Sequence, residues 1–474
     1  MKIGQLIKLI RDNRFKGISC NSKSVKNGFV FLAIKGADQN GGRFIKEALA
    51  NGAKALVCDL RTRVNKPQDI PLVRVNDTRL ATVQLALEYY RHPSEKLRVI
   101  GITGTCGKTT VTYLLEAILK EAGFNPAVIG TVNYRFKNKV IAAKNTTPGP
   151  LELQCLMADM LKVKTDYVAM EVSSHALEQG RVLGTKFHSA IFTNLTQDHL
   201  DYHKTINHYF IAKSRLFSSL CDKAFAVLNY DDQHFPRLKN LTRAEIITYG
   251  LSPDAQIKAE NIKYKLTGSS FLLSFFSKRI RVETPLIGKH NVYNILAASA
   301  WAYKEGLGLD KVIAALSKFR VVPGRMEPII SKKRFLVFVD YAHTEDALKN
   351  ALISIKNLDP KRIITLFGCG GERDRMKRPK MGRVASSLSD FVIITNDNPR
   401  SENPNSIIRD IEKGIRKDNY VILPDRKKAI KQAVLMAKEG DIILIAGKGH
   451  EEYQILRSGT INFDDRKEVR LCLK

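Results

Sequence analysis

Short apolar runs alternate with amphipathic stretches along most of the 474-residue chain. The run Leu97–Ile100 is apolar and β-branched, which is typical of a short buried strand. Val111–Gly123 carries apolar residues at helical spacing and stops at a glycine. Because strand and helix patterns alternate from here on, we predict an α/β fold with a parallel sheet.

The last third of the chain repeats this pattern. Four apolar runs there each end in polar or glycine residues, namely Phe335–Ala342, Arg362–Gly368, Phe391–Asp397 and Asp441–Gly447. In doubly wound sheets, ligands bind outside the carboxyl ends of the strands. The pattern therefore predicts a Rossmann-like α/β domain with a site of its own.

A glycine-rich stretch, GITGTCGKTT, links the first strand to the first helix of the alternation and ends in Gly107-Lys108-Thr109. That ending is typical of a phosphate-binding loop, although one glycine of the usual pattern is missing. Gly104 and Gly107 leave room for a phosphate beside backbone N–H groups at a helix N-terminus. Lys108 supplies a cation for the β- and γ-phosphates, and Thr109 supplies a hydroxyl for Mg²⁺. A glycine-rich turn without a ligand is the other interpretation, and the Lys-Thr-Thr register disfavours it.

Two segments punctuate the chain, His92–Lys96 and Val321–Glu327, and both contain a proline. They predict three domains. We expect a small N-terminal α/β domain over residues 1–95, a central P-loop ATPase domain with a parallel sheet over 96–322, and the Rossmann-like domain over 323–474.

The composition narrows the class of protein. The apolar share of 44% suits ordinary globular cores, and no apolar run reaches the roughly 18 residues of a membrane span. Charges interrupt the N-terminus too often for a signal peptide. Seven scattered cysteines without a CxxC pair indicate reduced thiols in the cytoplasm.

The net charge of +30 is large, but it is spread along the chain without a basic tail. This spread favours anionic small substrates over nucleic acid, and we expect neither nucleic acid nor membrane as a partner. A nucleic-acid-binding P-loop protein stays open as an alternative, which predicts an affinity that falls steeply with salt.

Acidic and histidine residues follow two further apolar runs, in Glu171–Val182 and Thr193–His203. Glu171 and His199 are candidate ligands for a divalent ion. A buried acid at a strand end needs a partner such as a metal. His199 alone suits a hydrogen-bonded loop histidine equally well.

Several motifs occur in a fixed order along nearly the whole chain. They are TGTCGKTT, NTTPGPLELQ, MEVSSHALEQGRV, TNLTQDHLDYH, YFIAKSRLF, HNVYNILAA, VPGRME, DYAHTEDAL, GCGGERDRMKRPKMG, NDNPR and GKGHEEYQ. In this order they closely resemble the Mur ligases of peptidoglycan synthesis. Within that family they are similar to the MurE branch, which adds the third amino acid to UDP-N-acetylmuramoyl-L-alanyl-D-glutamate.

The resemblance implies a reaction and its partners. ATP would phosphorylate the γ-carboxylate of D-glutamate, and the amine of the incoming amino acid would attack the acyl phosphate. The N-terminal domain would hold the UDP end, and the C-terminal domain the amino acid. We expect a cytoplasmic monomer that acts on the UDP-N-acetylmuramoyl-dipeptide and meso-diaminopimelate, with ATP and Mg²⁺.

Residue roles carry over where the motifs match. The implied catalytic residues are Lys108, His199 and Lys213, the last of these as a carbamate. The implied nucleotide contacts are Gly104, Thr105, Cys106, Gly107, Lys108, Thr109, Thr110, Asn291, Arg325 and His343. The implied Mg²⁺ ligands are Thr109, Glu171, His199 and Lys213. The implied substrate contacts are Ser22 for the uridine end, Asn145, Thr146, Thr147, Ser173, Gln179 and Arg181 for the muramoyl-dipeptide, and Arg373, Asn398, Arg400, Gly447 and Glu451 for the amino acid.

Some positions depart from the family pattern. Cys106 stands where asparagine is usual, Asn21 opens an NSK element in place of DSR, and Asn40–Gly42 reads NGG where DGH is common. These changes leave the details of uridine recognition open. Glu372 replaces the common aspartate beside Arg373.

Two enzyme alternatives stay open on sequence. The same ligation with L-lysine is the nearest, and the arginine of Asp397-Asn398-Pro399-Arg400 favours diaminopimelate because it matches an extra carboxylate. Folylpolyglutamate synthetase shares the ATPase core, but the NDNPR motif and the first-domain features speak against it.

Overall fold

The structure, a computed structural model, describes residues 1–35, 40–276, 278–331 and 334–474. It is an α/β protein with parallel sheets, as the alternating pattern predicted. The chain divides into two compact units. The first holds residues 1–101, 124–190 and 219–224, and the second holds residues 102–123, 191–218 and 225–474. The domain boundaries near residues 95 and 322 remain predictions.

Residues 1–90 form a parallel four-stranded sheet in the order β1-β2-β3-β4. Apolar residues of the first helix, Leu6 and Ile10, pack on Val30 and Leu32 of the sheet and on Leu85 of the third helix. The elements are α1 (Ile3–Arg11), β1 (Gly17–Ser19), β2 (Phe29–Leu32), α2 (Ile45–Ala50), β3 (Ala53–Asp59), β4 (Leu72–Val75) and α3 (Thr78–Tyr90).

Residues 98–318 contain the glycine-rich loop, which leaves β5 and enters α4. The elements are β5 (Arg98–Thr103), α4 (Lys108–Glu121), β6 (Pro126–Ile129), β7 (Asn133–Phe136), β8 (Lys139–Ala142), α5 (Pro150–Lys162), β9 (Tyr167–Glu171), α6 (Ser174–Glu178), β10 (Phe187–Phe192), α7 (Leu200–His203), α8 (Ile206–Ser218), β11 (Phe225–Asn229), α9 (Phe235–Lys239), β12 (Glu245–Gly250), β13 (Ile257–Lys265), β14 (Gly268–Phe275), β15 (Lys278–Thr284), α10 (Lys289–Lys304) and α11 (Leu309–Lys318).

The strand pairing in this region differs between the units. In the first unit, β6 is parallel to β9 and antiparallel to β7, and β8 continues on the far side of β7. In the second unit, β11, β12 and β13 are parallel, and β14 and β15 follow as antiparallel strands. The parallel strands β9 and β11 are buried along their whole length, as expected where both faces are covered.

Residues 327–472 form a six-stranded sheet in the order β16-β17-β21-β18-β19-β20. All its strands are parallel except the edge strand β16. The elements are β16 (Glu327–Ile330), β17 (Leu336–Asp340), α12 (Glu345–Lys356), β18 (Ile363–Phe367), α13 (Lys377–Leu388), β19 (Phe391–Ile394), α14 (Pro404–Glu412), β20 (Tyr420–Ile422), α15 (Arg426–Met436), β21 (Ile442–Ala446), β22 (Tyr453–Leu456), β23 (Gly459–Asn462) and α16 (Asp465–Cys472).

Helices cover both faces of this sheet, which makes it doubly wound as predicted. Phe338 and Phe367 face a core that includes Leu352 of α12. Val337 faces the opposite core, which includes Ile430 of α15. The four apolar runs singled out in the last third correspond to β17, β18, β19 and β21, so their polar ends lie at one edge of the sheet.

Two sequence expectations concern the whole chain. All seven cysteines are unpaired thiols. Across the described ranges, the structure contains no helix with the length and apolar character needed to cross a membrane.

Candidate active site

The glycine-rich loop occupies residues 104–107, between the end of β5 and the start of α4. Gly104 and Gly107 have φ values of 149° and 90°, which L side chains rarely adopt. A Cβ at Gly104 would overlap Thr193 Oγ1, and a Cβ at Gly107 would overlap Asn294 Oδ1. The two glycines are therefore required for the loop to fit against its neighbours.

Side chains that follow β10 hold this loop by its backbone. Asn194 Oδ1 accepts from Cys106 N at 2.9 Å, and Asn194 O accepts from Thr105 N at 2.8 Å. Thr193 Oγ1 donates to Cys106 O at 2.6 Å. The sequence placed TNLTQDHLDYH near the phosphates, but it did not indicate that Thr193 and Asn194 clamp the loop.

Two lysines meet at one carbonyl oxygen. Lys108 Nζ donates to Gly104 O at 2.8 Å and to Thr105 O at 2.9 Å, and Lys213 Nζ donates to Gly104 O at 2.8 Å. Lys213 is only 2% exposed, and its ammonium lies 4.4 Å from the Tyr209 ring centroid. Burial, together with the charge of Lys108, holds the pKa of Lys213 well below its ordinary value. Lys213 is thus a buried amine beside the loop, and not a surface lysine of α8.

Arg325 contacts the start of α4, and His343 lies near Arg325 and Asp198. Arg325 Nη2 donates to Thr109 Oγ1 at 3.1 Å, and the guanidinium carbon lies 4.7 Å from the Tyr341 ring centroid. Arg325 Nε is buried and has no acceptor within the described part of the chain. His343 Nδ1 donates to Tyr341 O at 2.8 Å, and burial lowers the pKa of His343 to about 4. The imidazole is therefore neutral near pH 7.

A cavity of about 360 Å³ opens beside the loop, within the second unit. It brings together the predicted residues Cys106, Gly107, Thr109, Thr110, Asn291 and Arg325. Four aspartates that the sequence did not single out for this site, Asp231, Asp232, Asp340 and Asp346, also line it. Asn291 is fixed in the wall because its Nδ2 donates to Ile287 O at 2.8 Å and its Oδ1 accepts from Asn294 Nδ2 at 3.1 Å.

These features suit the binding of a nucleoside triphosphate. The loop has no space for a Cβ at Gly104 or Gly107, and α4 begins at Lys108, so the N-terminal N–H groups of the helix lie at the loop. The buried Nε–H of Arg325 has no acceptor among the described residues. A phosphate oxygen is an acceptor that would satisfy such a donor.

His199 lies beside Asp198 at the start of α7. Its Nε2 is 3.4 Å from Asp198 Oδ2, and its backbone N–H donates to Asp198 Oδ1 at 2.8 Å. Burial alone would raise the pKa of Asp198, but His199, His343 and Lys377 together lower it to about 2. Asp198 is therefore ionised, and it was not among the predicted site residues.

Glu171, at the end of β9 in the first unit, is 1% exposed. Its Oε1 accepts from Thr131 N at 2.8 Å, and its Oε2 accepts from Thr131 Oγ1 at 2.9 Å. Thr131 Oγ1 is also 3.1 Å from Thr146 Oγ1. Thr131 is thus the partner that orients the buried carboxylate, and no motif pointed to it.

The predicted muramoyl-dipeptide contacts form one cluster around Thr147. Thr147 Oγ1 donates to Glu171 O at 2.8 Å and accepts from Ser173 N at 3.1 Å. Arg181 Nη1 donates to Thr147 O at 3.1 Å, and its Nε and Nη2 donate to Gln179 Oε1 at 3.0 and 2.7 Å. Asn145 and Thr146 precede Thr147 in the same loop.

Ser22 lies elsewhere in the first unit, in a short 3₁₀ helix. Its Oγ donates to Glu47 Oε2 at 2.5 Å. Asn21 caps this helix through Oδ1, which accepts from Lys23 N at 3.1 Å, and Asn40 Oδ1 likewise accepts from Gly42 N at 3.0 Å. The asparagines at these two departures therefore act as local caps, a role that an aspartate oxygen performs equally well.

The predicted amino-acid residues gather at the carboxyl ends of β19 and β21. Asn398 Nδ2 donates to Glu451 Oε2 at 2.8 Å, and Lys448 Nζ donates to the same oxygen at 3.0 Å. Gly447 has φ of 115°, and a Cβ there would lie 2.5 Å from Asp397 Oδ2. Burial raises the pKa of Glu451, and the nearby Lys448 opposes this rise. The sequence did not single out Lys448.

Arg400 and Arg373 differ in how firmly they are held. Arg400 Nη1 donates to Gly371 O at 2.6 Å and to Asn398 O at 3.3 Å. Arg373 is exposed, and its Nη1 donates weakly to Glu372 O at 3.4 Å. Arg400 is therefore an ordered part of the site, whereas Arg373 lies at its edge.

The predicted Mg²⁺ ligands are partly oxygen donors, the class that Mg²⁺ prefers. Thr109 offers a hydroxyl and Glu171 a carboxylate. The described residues contain no group of three or more His, Cys, Asp or Glu side chains that could hold a metal ion. The Mg²⁺ ligand set remains a prediction.

Comparison with known proteins decides the family. The model of the Mur ligase family catalytic domain matches residues 14–90, that of the Mur ligase middle domain matches 102–302, and that of the Mur ligase glutamate ligase domain matches 324–449. The chain belongs to the Mur ligase family. The ordered motifs had predicted this membership, and the protein is therefore a ligase of the kind that acts in peptidoglycan precursor synthesis.

Relatives of this Mur ligase support the MurE branch. The UDP-N-acetylmuramoyl-L-alanyl-D-glutamate–2,6-diaminopimelate ligase of Solibacter usitatus is 45% identical over 464 residues, which cover 97% of this chain and 93% of the relative. A solved structure of a protein with the same name is 34% identical, covers 97% of this chain and 94% of its own, and has a TM-score of 0.68. The MurF ligase of Thermotoga maritima in complex with ADP shares the fold, with a TM-score of 0.71, 19% identity, and 98% of both chains covered.

Proposed function

We propose that this Mur ligase adds meso-diaminopimelate to the D-glutamate γ-carboxylate of UDP-N-acetylmuramoyl-L-alanyl-D-glutamate, with ATP and Mg²⁺, through an acyl phosphate. The observation that carries the proposal is the pairing, within one unit, of a phosphate-binding loop and an amino-acid site. The cavity beside Gly107 suits ATP, and the cluster of Asn398, Lys448 and Glu451 suits a zwitterion. Relatives with this activity in their names support the same conclusion.

The chemistry explains why both sites are needed. A carboxylate does not accept an amine until one of its oxygens becomes a good leaving group. A γ-carboxylate oxygen attacks the γ-phosphorus of ATP, and ADP leaves. The amine then attacks the acyl carbon, and inorganic phosphate leaves. Fixed cations stabilise the charge that spreads over the transferring phosphoryl group.

On the nucleotide side, Lys108 and Arg325 supply these cations. Lys108 is half-buried and is held at the loop by the Gly104 and Thr105 carbonyls. Arg325 has a buried Nε without a protein acceptor, so a phosphate oxygen would satisfy it. Asn291 and His343 complete the nucleotide side, the histidine as a neutral group.

Mg²⁺, when bound, would neutralise phosphate charge and align the reacting oxygens. Thr109, His199 and a carbamate on Lys213 are the groups of the second unit proposed to hold it. The Lys213 amine is buried and has no carboxylate partner among the described residues, since it donates only to Gly104 O. A neutral amine in this position attacks CO₂, a C–N bond forms, and one proton is released.

The muramoyl-dipeptide would lie against the loop of Asn145, Thr146 and Thr147. Ser173, Gln179 and Arg181 are hydrogen-bonded to or beside this loop, so the surface is pre-organised. Ser22 would contact the uridine end. Its hydroxyl hydrogen is engaged by Glu47, so Ser22 would act as an acceptor there.

Arg400 favours diaminopimelate over L-lysine. The two amino acids differ by the distal carboxylate. Arg400 Nη1 is held by Gly371 O, while its Nε and Nη2 form no hydrogen bonds with any described residue. These two donors form a planar fork that suits a carboxylate. Glu451 would receive the distal ammonium. L-lysine would leave the fork without its anion.

One assay tests the proposal. The purified protein is incubated with ATP, Mg²⁺, the UDP-muramoyl-dipeptide and a panel of amino acids, and products are identified by mass. We expect one diaminopimelate to be added for each ATP consumed. Equal use of L-lysine would contradict the substrate assignment, and ATP turnover without any ligation would contradict the reaction.

A further inference from the structure

Lys448 is a fully buried lysine at the carboxyl end of β21. It is 0% exposed, and its Nζ donates to Asn398 Oδ1 at 3.1 Å and to Glu451 Oε2 at 3.0 Å. A buried ammonium is costly unless opposite charge and hydrogen bonds compensate for its lost hydration. Among the described residues, the Lys448 ammonium is hydrogen-bonded only to Asn398 and Glu451, and it lies 5.6 Å from the Tyr453 ring centroid, so its charge is tied to this site.

The backbone around Lys448 leaves it little freedom. Gly447 and Gly449, its two neighbours, have φ values of 115° and 53°. A Cβ at Gly449 would lie 2.7 Å from both Gly324 O and Tyr341 Cβ. The loop therefore packs too closely for a side chain at this position, and it presents the lysine from a fixed place.

Lys448 and the Ile455 N–H together orient the Asn398 amide. Asn398 Oδ1 accepts from Lys448 Nζ and also from Ile455 N at 3.0 Å. Because two donors meet this oxygen, Nδ2 is turned to the other side, where it donates to Glu451 Oε2 at 2.8 Å. The second N–H of Nδ2 has no acceptor in the described ranges.

Lys448 also determines which Glu451 oxygen remains for a ligand. Oε2 accepts from both Lys448 and Asn398. Oε1 forms no hydrogen bond with the part of the protein that the structure describes. The three residues thus leave one amide N–H, which suits a carboxylate, and one carboxylate oxygen, which suits an ammonium.

We propose that Lys448 is a positioning residue of the amino-acid site. It orients Asn398 and Glu451 so that the amide N–H holds a carboxylate of the incoming amino acid and Glu451 Oε1 holds an ammonium. This inference rests on the proposed function, to which it adds a residue that acts only through its two neighbours.

The first test separates binding of the amino acid from binding of ATP. Lys448→Met removes the charge at similar side-chain length. We expect the KM for diaminopimelate to rise at least about tenfold, because both contacts lose their orientation, while the KM for ATP changes less than about twofold. Arg362→Met is the matched control. It removes a basic partner of Asp441 at the opposite end of β21, so it weakens the same strand without reaching the site. The control should keep both KM values.

A double-mutant cycle tests whether Lys448 acts through Glu451. In a Glu451→Gln background, Lys448→Met should raise the KM for diaminopimelate by a smaller factor than in the wild type, since one of the two contacts it supports is already lost. Full additivity, or an equal rise in both KM values, would overturn the inference in favour of a purely structural lysine. If Lys448→Met yields no folded protein, Lys448→Gln, which keeps an uncharged donor, is measured in the same cycle.

The outcome for Lys448 is distinguishable from the outcome for the proposed function. A wild-type enzyme that ligates L-lysine and not diaminopimelate would contradict the substrate. The same cycle, measured with L-lysine, still tests Lys448 through Glu451, because L-lysine also carries a distal ammonium.

Discussion

Lys108 and Lys213 donate to the same oxygen atom, the carbonyl of Gly104, each at 2.8 Å. Two ammonium groups that share one acceptor repel each other, and the more buried one is the less able to remain charged. The two lysines therefore have different chemical roles. Lys108 is the half-buried cation of the loop, and Lys213 is the buried amine that is more easily held neutral.

Replacement of Lys108 tests the loop. Lys108→Ala should lower ligation at least about a hundredfold, because it removes a fixed cation from the transferring phosphate. It is half-buried, and its Nζ donates to loop carbonyls, so the free energy of unfolding should change far less than activity does, by about 1–2 kcal/mol. Lys120→Ala, on the exposed face of the same helix α4, is the control and should keep full activity. Normal turnover of Lys108→Ala would show that ATP binds elsewhere.

Replacement of Lys213 tests the carbamate. Lys213→Ala should be nearly inactive, and formate or acetate should restore part of the activity by supplying the missing oxygen anion. The same acids should not restore Lys108→Ala, which lacks a cation. In the wild type, ¹³C-bicarbonate should give a carbamate signal by NMR that is absent from Lys213→Ala. Full activity without that signal would refute the modification.

Much of the candidate site could be predicted from the sequence, because many of its residues lie in contiguous motifs. The register Gly107-Lys108-Thr109 after an apolar run located the loop, and the ends of the apolar runs indicated the cluster with Asn398 and Glu451 that we propose as the amino-acid site. These features depend on local sequence, because a glycine or the end of a strand determines the backbone conformation of the residues next to it.

The groups that orient the site were not predictable in this way. Three of the orienting hydrogen bonds join residues that are far apart in the sequence. Asn194 and Cys106 are 88 residues apart, Thr131 and Glu171 are 40 apart, and Lys448 and Asn398 are 50 apart. A contact over such separations depends on which strands become neighbours. Sequence periodicity does not specify that order.

The departure at Cys106 should be tolerated. Its backbone N–H and C=O make the loop contacts, whereas its thiol only lines the cavity. Cys106→Asn, which restores the residue usual in the family, should keep the KM for ATP within about threefold. A loss of more than about tenfold would show that the thiol itself is needed.

The reactivity of the Cys106 thiol should follow pH. Burial raises its pKa to about 11, with Lys108 acting in the opposite direction. At pH 8 only about one thiol in a thousand is then ionised, so iodoacetamide should label Cys106 slowly, about tenfold faster for each pH unit up to 11. ATP should slow the labelling, since the thiol lines its cavity. Exposed Cys221 serves as the internal control and should be unaffected by ATP.

A buried ion pair should anchor the C-terminal helix. Arg426 and Asp465 are 2% and 0% exposed, and Arg426 Nε and Nη2 donate to the two carboxylate oxygens at 2.7 Å each. Arg426→Met should lower the free energy of unfolding by about 3–5 kcal/mol, because it leaves a buried carboxylate unpaired. Arg426→Met with Asp465→Asn should recover part of that loss. Urea denaturation measures both, and equal midpoints for the single variant and the wild type would contradict the prediction.

The choice between diaminopimelate and L-lysine should depend on Arg400. Arg400→Ala should lower catalytic efficiency with diaminopimelate at least about tenfold, since a charged hydrogen bond is worth roughly 1.5–3 kcal/mol. Efficiency with L-lysine should change little, because L-lysine has no distal carboxylate to lose. Arg457→Ala is the matched control. Arg457 lines the same surface groove as Arg400 but is exposed on the turn after β22, so its loss should leave the preference intact. The preference is measured as the ratio of kcat/KM for the two amino acids. If Arg400→Ala keeps the wild-type ratio, or if Arg457→Ala changes it as much, the distal carboxylate is not read by Arg400.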